Sequence, residues 1–246
     1  MIPKKINYCW FGGNPLPESA KKYIETWKKY CPDYEIIEWN ETNFDVNQNQ
    51  YCKEAYEAKK WAFVSDYARF WILYRYGGIY FDTDVEVLKP LDKIIEKGPF
   101  MGCERDADKS GMTTVAVAPG LGLGANPGLG LYKEILDLYE NLHFKNKDGS
   151  LNLKTVVQYT TEVLIKHGLK KSNQIQMCAG VYIYPREYFC PKNIETGALE
   201  ITENSYTIHH FEGTWLTPWL RFRHNIKLLL VSIFGERFIK LLKKIR

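Results

Sequence analysis

The chain has 246 residues, of which 45% are hydrophobic and 25% are charged. This composition excludes a disordered chain, and the length suits one α/β domain with a sizeable core. The net charge is +4, but residues 219–246 hold eight basic side chains and one acid, so residues 1–218 are net acidic. A nucleic-acid-binding body is therefore not expected.

The first predicted elements alternate between strand and helix. An apolar run over residues 2–11 predicts a strand that ends at Gly12-Gly13. A helix is predicted from residue 17 to residue 30, before Pro32, and a short strand over 35–39.

A longer helix is predicted over residues 53–76, followed by a strand. Apolar residues recur there at spacings of three and four, which indicates one buried stripe: Trp61, Val64, Ala68, Trp71 and Ile72. Gly77-Gly78 stops this helix. The strand Ile79-Tyr80-Phe81 follows at once and ends in Asp82-Thr83-Asp84.

The remaining body continues the alternation. Residues 117–130 are rich in Gly, Ala and Pro and predict a loop that permits a close approach. Helices are predicted over 129–142 and 155–167, and strands over 180–184 and 205–211. Together the elements predict an α/β sheet covered by helices on both faces.

The last segment, residues 219–246, is basic and amphipathic. Two interpretations remain open for it. Such a helix can lie in an anionic membrane interface, or it can dock on the body and leave its basic face in water. The longest apolar run in it, Leu228 to Val231, is far too short for a membrane span.

The cysteines and the start of the chain bear on the cellular compartment. The six cysteines form no CxxC pair and are irregularly spaced, which predicts reduced thiols. No signal-peptide pattern is seen at the start of the sequence. We expect a cytoplasmic protein, with a peripheral position at the inner membrane face if the basic segment binds lipid.

Asp82 and Asp84 form the strongest chemical signal. They follow a predicted buried strand, and ligands of open α/β sheets bind at the carboxyl ends of strands. Residues i and i+2 of a strand point the same way, so both carboxylates can converge on one ligand. Clustered carboxylates favour a hard divalent cation, which can bridge a diphosphate leaving group. The plainer alternative is a pair of polar surface residues.

The run FVSDYARFWILYRYGGIYFDTDVEVLKPL, residues 63–91, resembles the DXD sugar-binding region of family 32 glycosyltransferases. It is also similar to the catalytic domains of clostridial glucosylating toxins. Three further stretches fit the family in order: residues 2–13, 181–191 and 206–215. The resemblance implies a GT-A fold over residues 1–218, a nucleotide-sugar donor, Mn²⁺ or Mg²⁺, and retention at the anomeric carbon.

The resemblance also implies roles for residues around the donor. Trp10 is expected to stack on the nucleotide base, although an interior tryptophan is the alternative. Asp66 and Arg69 stand at i and i+3 and are expected at the donor sugar and phosphate; a surface ion pair is the alternative. The donor set is completed by Phe11, Tyr80 and Thr83.

Four residues are expected at the diphosphate and the cation. The family pattern gives Asp82 a ribose or metal contact and Asp84 a metal bond. His209 matches the family's terminal His and is expected as a third ligand, while its neighbour His210 competes for that role because adjacent strand residues face opposite sides. Imidazole with carboxylate suits manganese. Trp215 is expected to cover the diphosphate.

The predicted function is transfer of a hexose from a nucleotide diphosphate sugar to a glycan acceptor, with a UDP-sugar favoured over GDP-mannose. Surface or capsular polysaccharide synthesis and a lipid-linked acceptor are expected. One alternative is a haloacid-dehalogenase-type phosphotransferase, which also has an Asp-x-Asp strand end, although Glu86 stands where that motif wants Thr or Val. Another is an inactive scaffold that binds nucleotide sugar.

Overall fold

The computed structural model describes residues 1–107, 115–193, 197–213 and residue 226. Its strands and helices are interspersed along the chain and agree with the predicted α/β class. The strands are β1 (Lys5–Cys9), β2 (Glu35–Trp39), β3 (Gly78–Tyr80), β4 (Val85–Val87), β5 (Phe100–Arg105), β6 (Ala116–Val117), β7 (Leu123–Ala125), β8 (Gln176–Cys178), β9 (Val181–Tyr184) and β10 (Thr207–His209). The helices are α1 (Glu18–Tyr30), α2 (Gln50–Glu57), α3 (Trp61–Tyr76), α4 (Asp92–Ile95), α5 (Gly130–Glu140), α6 (Val156–Lys166) and α7 (Arg186–Phe189).

Within the described residues the main sheet has eight strands, ordered β2-β1-β3-β7-β5-β9-β8, with β6 paired to β5. β1 pairs in parallel with β2 and β3, and β5 pairs in parallel with β9. β7 lies antiparallel between β3 and β5, so β1, β3, β5 and β9 all run in one direction. Their carboxyl ends share one edge of the sheet, which is where ligands of such sheets bind.

Helices cover both faces of this sheet. One apolar cluster packs α3 and α5 against the sheet through residues such as Phe70 and Tyr132. A second cluster packs α1 against the opposite face through Ile24 and Trp27. The mixed sheet with helices on both faces is therefore confirmed, and it agrees with the GT-A architecture that the resemblance implies.

The prediction of one continuous helix over 53–76 is wrong. The chain forms two helices, α2 and α3, because Lys59 adopts a left-handed φ of 56° that no helix continues through. The predicted stop is confirmed: Gly77 has a φ of 65° and its N–H bonds to the carbonyl of Leu73. A Cβ at Gly77 would also lie 2.7 Å from Pro127, so a larger residue does not fit.

The region 117–130 is not only a loop. It contains β7, which forms the centre of the main sheet. β7 was missed because Leu123-Gly124-Ala125 carries little strand propensity. Gly124 is required there, since a Cβ would lie 2.4 Å from the Phe100 ring.

The other predicted elements have the right type and nearly the right ends. α1, α5, α6, β9 and β10 fall inside their predicted ranges. The capping box of Thr155 and Gln158 fixes the start of α6. Strands β4, β5, β6 and β8 and the short helices α4 and α7 were not predicted.

All six cysteines are free and buried, as expected for reduced thiols. No helix among the described residues is both long enough and apolar enough to traverse a bilayer. The basic segment 219–246 lies outside the described residues except for residue 226, so both interpretations of it stay predictions.

Candidate metal and donor site

A turn at the end of β3 presents the two acids of the predicted motif. β3 ends at Tyr80, so Asp82 and Asp84 do not lie in a strand, and the reason given for their convergence is wrong. The N–H of Val85 instead bonds to the carbonyl of Asp82 at 3.1 Å, which closes a turn over residues 82–85. The turn brings both carboxylates to the edge where the parallel strands end.

Gly120 permits the position of Asp82. The backbone N–H of Asp82 donates to the carbonyl of Gly120 at 3.0 Å. A Cβ at Gly120 would lie 1.9 Å from Asp82 Oδ2 and 3.2 Å from an Arg69 nitrogen. The close approach expected in this glycine-rich region is therefore made by the acid itself, and only glycine leaves room for it.

The small sheet of β4 and β10 brings His209 to the acids. In this antiparallel pair His209 lies opposite Val85. His209 Nε2 lies 3.0 Å from Asp84 Oδ1 and 3.9 Å from Asp82 Oδ2. The candidate ligand atoms of these three residues all lie within 4.8 Å of one another.

His210 faces away from this group. Its Nε2 lies 2.8 Å from Glu86 Oε2, and its ring stacks on Tyr23 with centroids 4.5 Å apart. His209 ends β10 and His210 follows it, and their side chains face opposite sides, so that His209 is the one that faces the acids.

The residues present fit a divalent cation. Two atoms that each lie about 2.1 Å from one ion are at most about 4.2 Å apart, and both His209 distances fall below this value. A mixed set of carboxylate oxygens and imidazole nitrogen suits manganese better than calcium. His209 Nδ1 is buried without a hydrogen-bond partner among the described residues, which leaves Nε2 as the nitrogen directed at the acids.

Electrostatics within the group keep Asp84 ionised. Burial alone would raise its pKa, but the charge of His209, its hydrogen bond and the N–H of Glu212 lower the pKa of Asp84 to about 2. The same pairing raises the pKa of His209, although burial opposes it. Because a metal-ligating imidazole nitrogen must be unprotonated, a proton that this pairing favours on His209 competes with a cation for that nitrogen.

Arg69 lies behind the acids and joins them to Asp66. Its guanidinium lies 3.1 Å from Asp66 and 3.3 Å from Asp82, and its Nε donates to the carbonyl of Ser65 at 3.0 Å. The Arg69 side chain is only 4% exposed. The alternative of a surface ion pair is therefore wrong for Asp66 and Arg69.

Asp66 is unusual among these acids. Burial raises its pKa to about 7, even though Arg69 and the amide of Val156 act in the opposite direction. Arg69 shares its charge between two carboxylates, so it compensates Asp66 only in part.

Tyr80 and Thr83 lie next to the acids. The hydroxyl of Tyr80 donates to Asp82 Oδ1 at 3.2 Å, and the Arg69 guanidinium lies 4.8 Å from the Tyr80 ring centre. Both Tyr80 and Thr83 are buried, so their donor contacts stay predictions.

Trp10 and Phe11 follow β1. Trp10 is partly exposed and its indole N–H donates to the carbonyl of Asn14 at 2.6 Å. Phe11 is buried against Phe44 and serves the core. Their donor contacts stay predictions too. Trp215 lies outside the described residues.

Sequence reasoning missed two acids near His209. Glu104 is the next-to-last residue of β5; burial raises its pKa, while Arg105 and His209 oppose the rise. Glu212 donates its backbone N–H to Asp84 Oδ2 at 2.9 Å. Glu212 stands in the YTIHHFEGTW stretch and carried a signal there, whereas nothing in the pattern around Glu104 marked it.

Residues 17–101, which hold Asp66, Arg69, Asp82 and Asp84, match the family model described as "Glycosyltransferase sugar-binding region containing DXD motif". This part of the chain is similar to DXD-type glycosyltransferase sugar-binding regions. The DXD acids are Asp82 and Asp84, and His209 reaches them from outside the matched segment.

Curated proteins that are similar to part of this chain include mannosyltransferases of yeasts. Inositol phosphoceramide mannosyltransferase 1 of Schizosaccharomyces pombe is 29% identical over 111 residues, covering 41% of this chain and 33% of the relative. The initiation-specific alpha-1,6-mannosyltransferase of Candida albicans is 30% identical over 129 residues, covering 44% and 34%. The chain thus spans about a third of the length of these relatives.

Among solved structures, a glycosyltransferase involved in the glycosylation of the major capsid of PBCV-1 is similar with a TM-score of 0.49. The sequence identity is 12%, over 89% of this chain and 98% of that chain.

Proposed function

We propose that the chain is a retaining, divalent-metal-dependent glycosyltransferase that moves a hexose from a nucleotide diphosphate sugar to a glycan acceptor. The observation that carries the proposal is the grouping of Asp82, Asp84 and His209 within 4.8 Å of one another. The group lies at the carboxyl edge of the sheet, and its two acids fall within the residues that match a DXD sugar-binding region. A phosphotransferase lacks support from that match.

Asp82, Asp84 and His209 would hold the cation, with Mn²⁺ favoured over Mg²⁺. When bound, the cation supplies the positive charge that stabilises a departing diphosphate. Asp84 stays ionised across the neutral range because its pKa is about 2. Arg69 stays charged because Asp82, Tyr80 and Asp66 outweigh its burial and raise its pKa, so it holds Asp82 in place.

The transfer breaks the bond between the anomeric carbon and the diphosphate oxygen, and the electron pair leaves with the diphosphate. The acceptor hydroxyl oxygen forms the new bond through an oxocarbenium-like state. Attack on the same face as the leaving group gives retention, and the hydroxyl proton passes to a departing diphosphate oxygen. This route requires no enzymic nucleophile.

The choice of donor and acceptor rests on the resemblance and on the names of the relatives, not on the site geometry. The resemblance favours a UDP-sugar, whereas the names of the yeast relatives make mannose the first sugar to test, with GDP-mannose as its donor. We propose a glycan of surface or capsular polysaccharide synthesis as the acceptor, lipid-linked at the cytoplasmic membrane face. The basic amphipathic segment 219–246 supports this location.

The test is release of nucleoside diphosphate from a panel of UDP-hexoses, UDP-N-acetylhexosamines and GDP-mannose with Mn²⁺, with and without glycan acceptors. We expect release from one donor, and we expect EDTA and Asp84→Asn to abolish it. Donor binding without release under all conditions supports the scaffold instead. If the protein neither binds any donor of the panel nor releases nucleoside diphosphate from it, the proposal is contradicted.

A further inference from the structure

Helix α1 is joined to the residues that follow β10 by a single carboxylate. The hydroxyl of Ser19 donates to Glu212 Oε2 at 2.7 Å, and the hydroxyl of Tyr23 donates to Glu212 Oε1 at 2.9 Å. Both oxygens of Glu212 are therefore engaged by one face of one helix. Hydrogen bonds to an ionised carboxylate are stronger than those between neutral groups.

The backbone of the same residue reaches the candidate metal site. The N–H of Glu212 donates to Asp84 Oδ2 at 2.9 Å, while Asp84 Oδ1 lies 3.0 Å from His209 Nε2. Each oxygen of Asp84 is thus fixed by a different part of the segment 209–212. Holding Glu212 on α1 consequently holds the rotamer of Asp84.

Tyr23 also contacts this segment through its ring. Its ring stacks on His210 with centroids 4.5 Å apart and planes 14° apart, and His210 Nε2 bonds to Glu86 at 2.8 Å. The backbone N–H of His210 donates to the carbonyl of Asp84 at 2.9 Å. The two adjacent histidines face opposite sides, so fixing His210 outward holds His209, at the end of β10, toward the acids.

We propose that Tyr23 and Glu212 are positioning residues of the metal site, holding Asp84 and His209 in the geometry that binds a divalent cation. This inference rests on the proposed function. Neither side chain touches the cation; they act through the Glu212 N–H and the orientation of the histidine pair. Groups that orient metal ligands typically change metal affinity by about 10–100-fold when removed.

The protonation of Tyr23 is consistent with this role. Burial raises the pKa of Tyr23, and the hydrogen bond to Glu212 raises it further. The hydroxyl therefore stays a donor at any pH where the protein works.

The experiment measures the Mn²⁺ dissociation constant of the full chain without donor, by the EPR signal of free Mn²⁺. Tyr23→Phe removes one hydroxyl and keeps the ring. Tyr30→Phe is the matched control, because Tyr30 lies on the same helix and its hydroxyl makes no hydrogen bond within the described part of the chain. Glu212→Ala removes the carboxylate, and Glu212→Gln keeps groups that can bond to both hydroxyls.

We expect Tyr23→Phe and Glu212→Ala to weaken Mn²⁺ binding by about tenfold or more. Tyr30→Phe should bind as the parent does, and Glu212→Gln should recover most of the affinity. Melting curves confirm that each variant is folded at the temperature of the titration.

Three results would overturn the inference. If the parent binds Mn²⁺ and Tyr23→Phe binds it equally well, the positioning role fails and the proposed function stands. If Glu212→Gln binds Mn²⁺ as weakly as Glu212→Ala does, while Tyr23→Phe binds it as the parent does, then the charge of Glu212 and not its hydrogen bonds determines the Mn²⁺ affinity. If the parent itself binds no Mn²⁺, the positioning role and the metal-dependent function fail together.

Discussion

His209 Nε2 lies 3.0 Å from Asp84 Oδ1, and this contact joins the last strand of the described body to the DXD motif. The pair is nearly buried, with exposed side-chain fractions of 12% for His209 and 15% for Asp84. Together with the second acid, Asp82, this pair brings three potential ligand atoms to within 4.8 Å of one another, as a divalent cation requires.

Asp84→Asn should lower metal-dependent donor turnover by roughly 100-fold or more. Without the bound cation, the transition state loses several kcal/mol of charge stabilisation. The variant should still fold, since the site lies at the edge of the sheet and not in its core. Donor turnover is measured, and circular dichroism of the same samples checks that the variant is folded. Asp33→Asn, an exposed acid paired with Lys4, is the control. Full activity of Asp84→Asn rejects the metal assignment.

Gly120→Ala should impair the site through sterics alone. Its Cβ would lie 1.9 Å from Asp82 Oδ2, so the carboxylate must move away from Arg69 and His209. We expect weaker Mn²⁺ binding in a titration. Gly130→Ala is the matched control, because no atom lies within 4 Å of its Cβ position. Equal Mn²⁺ affinity of the two variants would show that the close approach at Gly120 has no role in the site.

Asp66 should give a distinctive pH dependence of stability. Its folded pKa is about 7, above the ordinary aspartate value of about 3.9 in an unfolded chain. Between these values the folded state binds more protons, so stability falls as pH rises from about 4 to about 7.

Asp66→Asn removes this effect. As the pH rises from about 4 to about 7, the free energy of unfolding of the variant should therefore increase relative to that of the parent. Denaturant titrations at several pH values measure the difference. A difference that stays constant between pH 4 and pH 7 would contradict the raised pKa of Asp66.

Deleting residues 219–246 should loosen association with anionic vesicles, because most of the segment's charged side chains are basic. Co-sedimentation with phosphatidylserine-containing vesicles measures the loss, with zwitterionic vesicles and high salt as controls. Unchanged sedimentation of the shortened chain rejects a membrane role for the segment.

The sequence predicted the site's members better than their geometry. Asp82 and Asp84 were expected at a ligand-binding strand end, and the family resemblance placed Arg69 and His209 with them. The structure brings all four together. Their convergence depends on a turn at residues 82–85 and on a close approach of Asp82 to Gly120. Neither is visible to periodicity, because a turn leaves no repeating pattern and the approach to Gly120 is a contact between distant segments.

The fold was predictable where a local signal was strong. Gly77 ended a helix as expected, and the apolar strands β1 and β2 were found. β7 was missed because its place at the centre of the sheet is set by tertiary packing and not by propensity. The break at Lys59 escaped notice because a left-handed lysine carries no sequence mark.

The central claim is that His209 and the DXD acids hold one divalent cation that meets the donor diphosphate. Pulsed EPR of the Mn²⁺-loaded protein tests it most directly. We predict a nitrogen coupling from a bound imidazole that disappears in His209→Gln, persists in His210→Gln, and is joined by a phosphorus coupling when a nucleoside diphosphate is added. A spectrum without imidazole coupling, or one that His209→Gln leaves unchanged, would contradict the account.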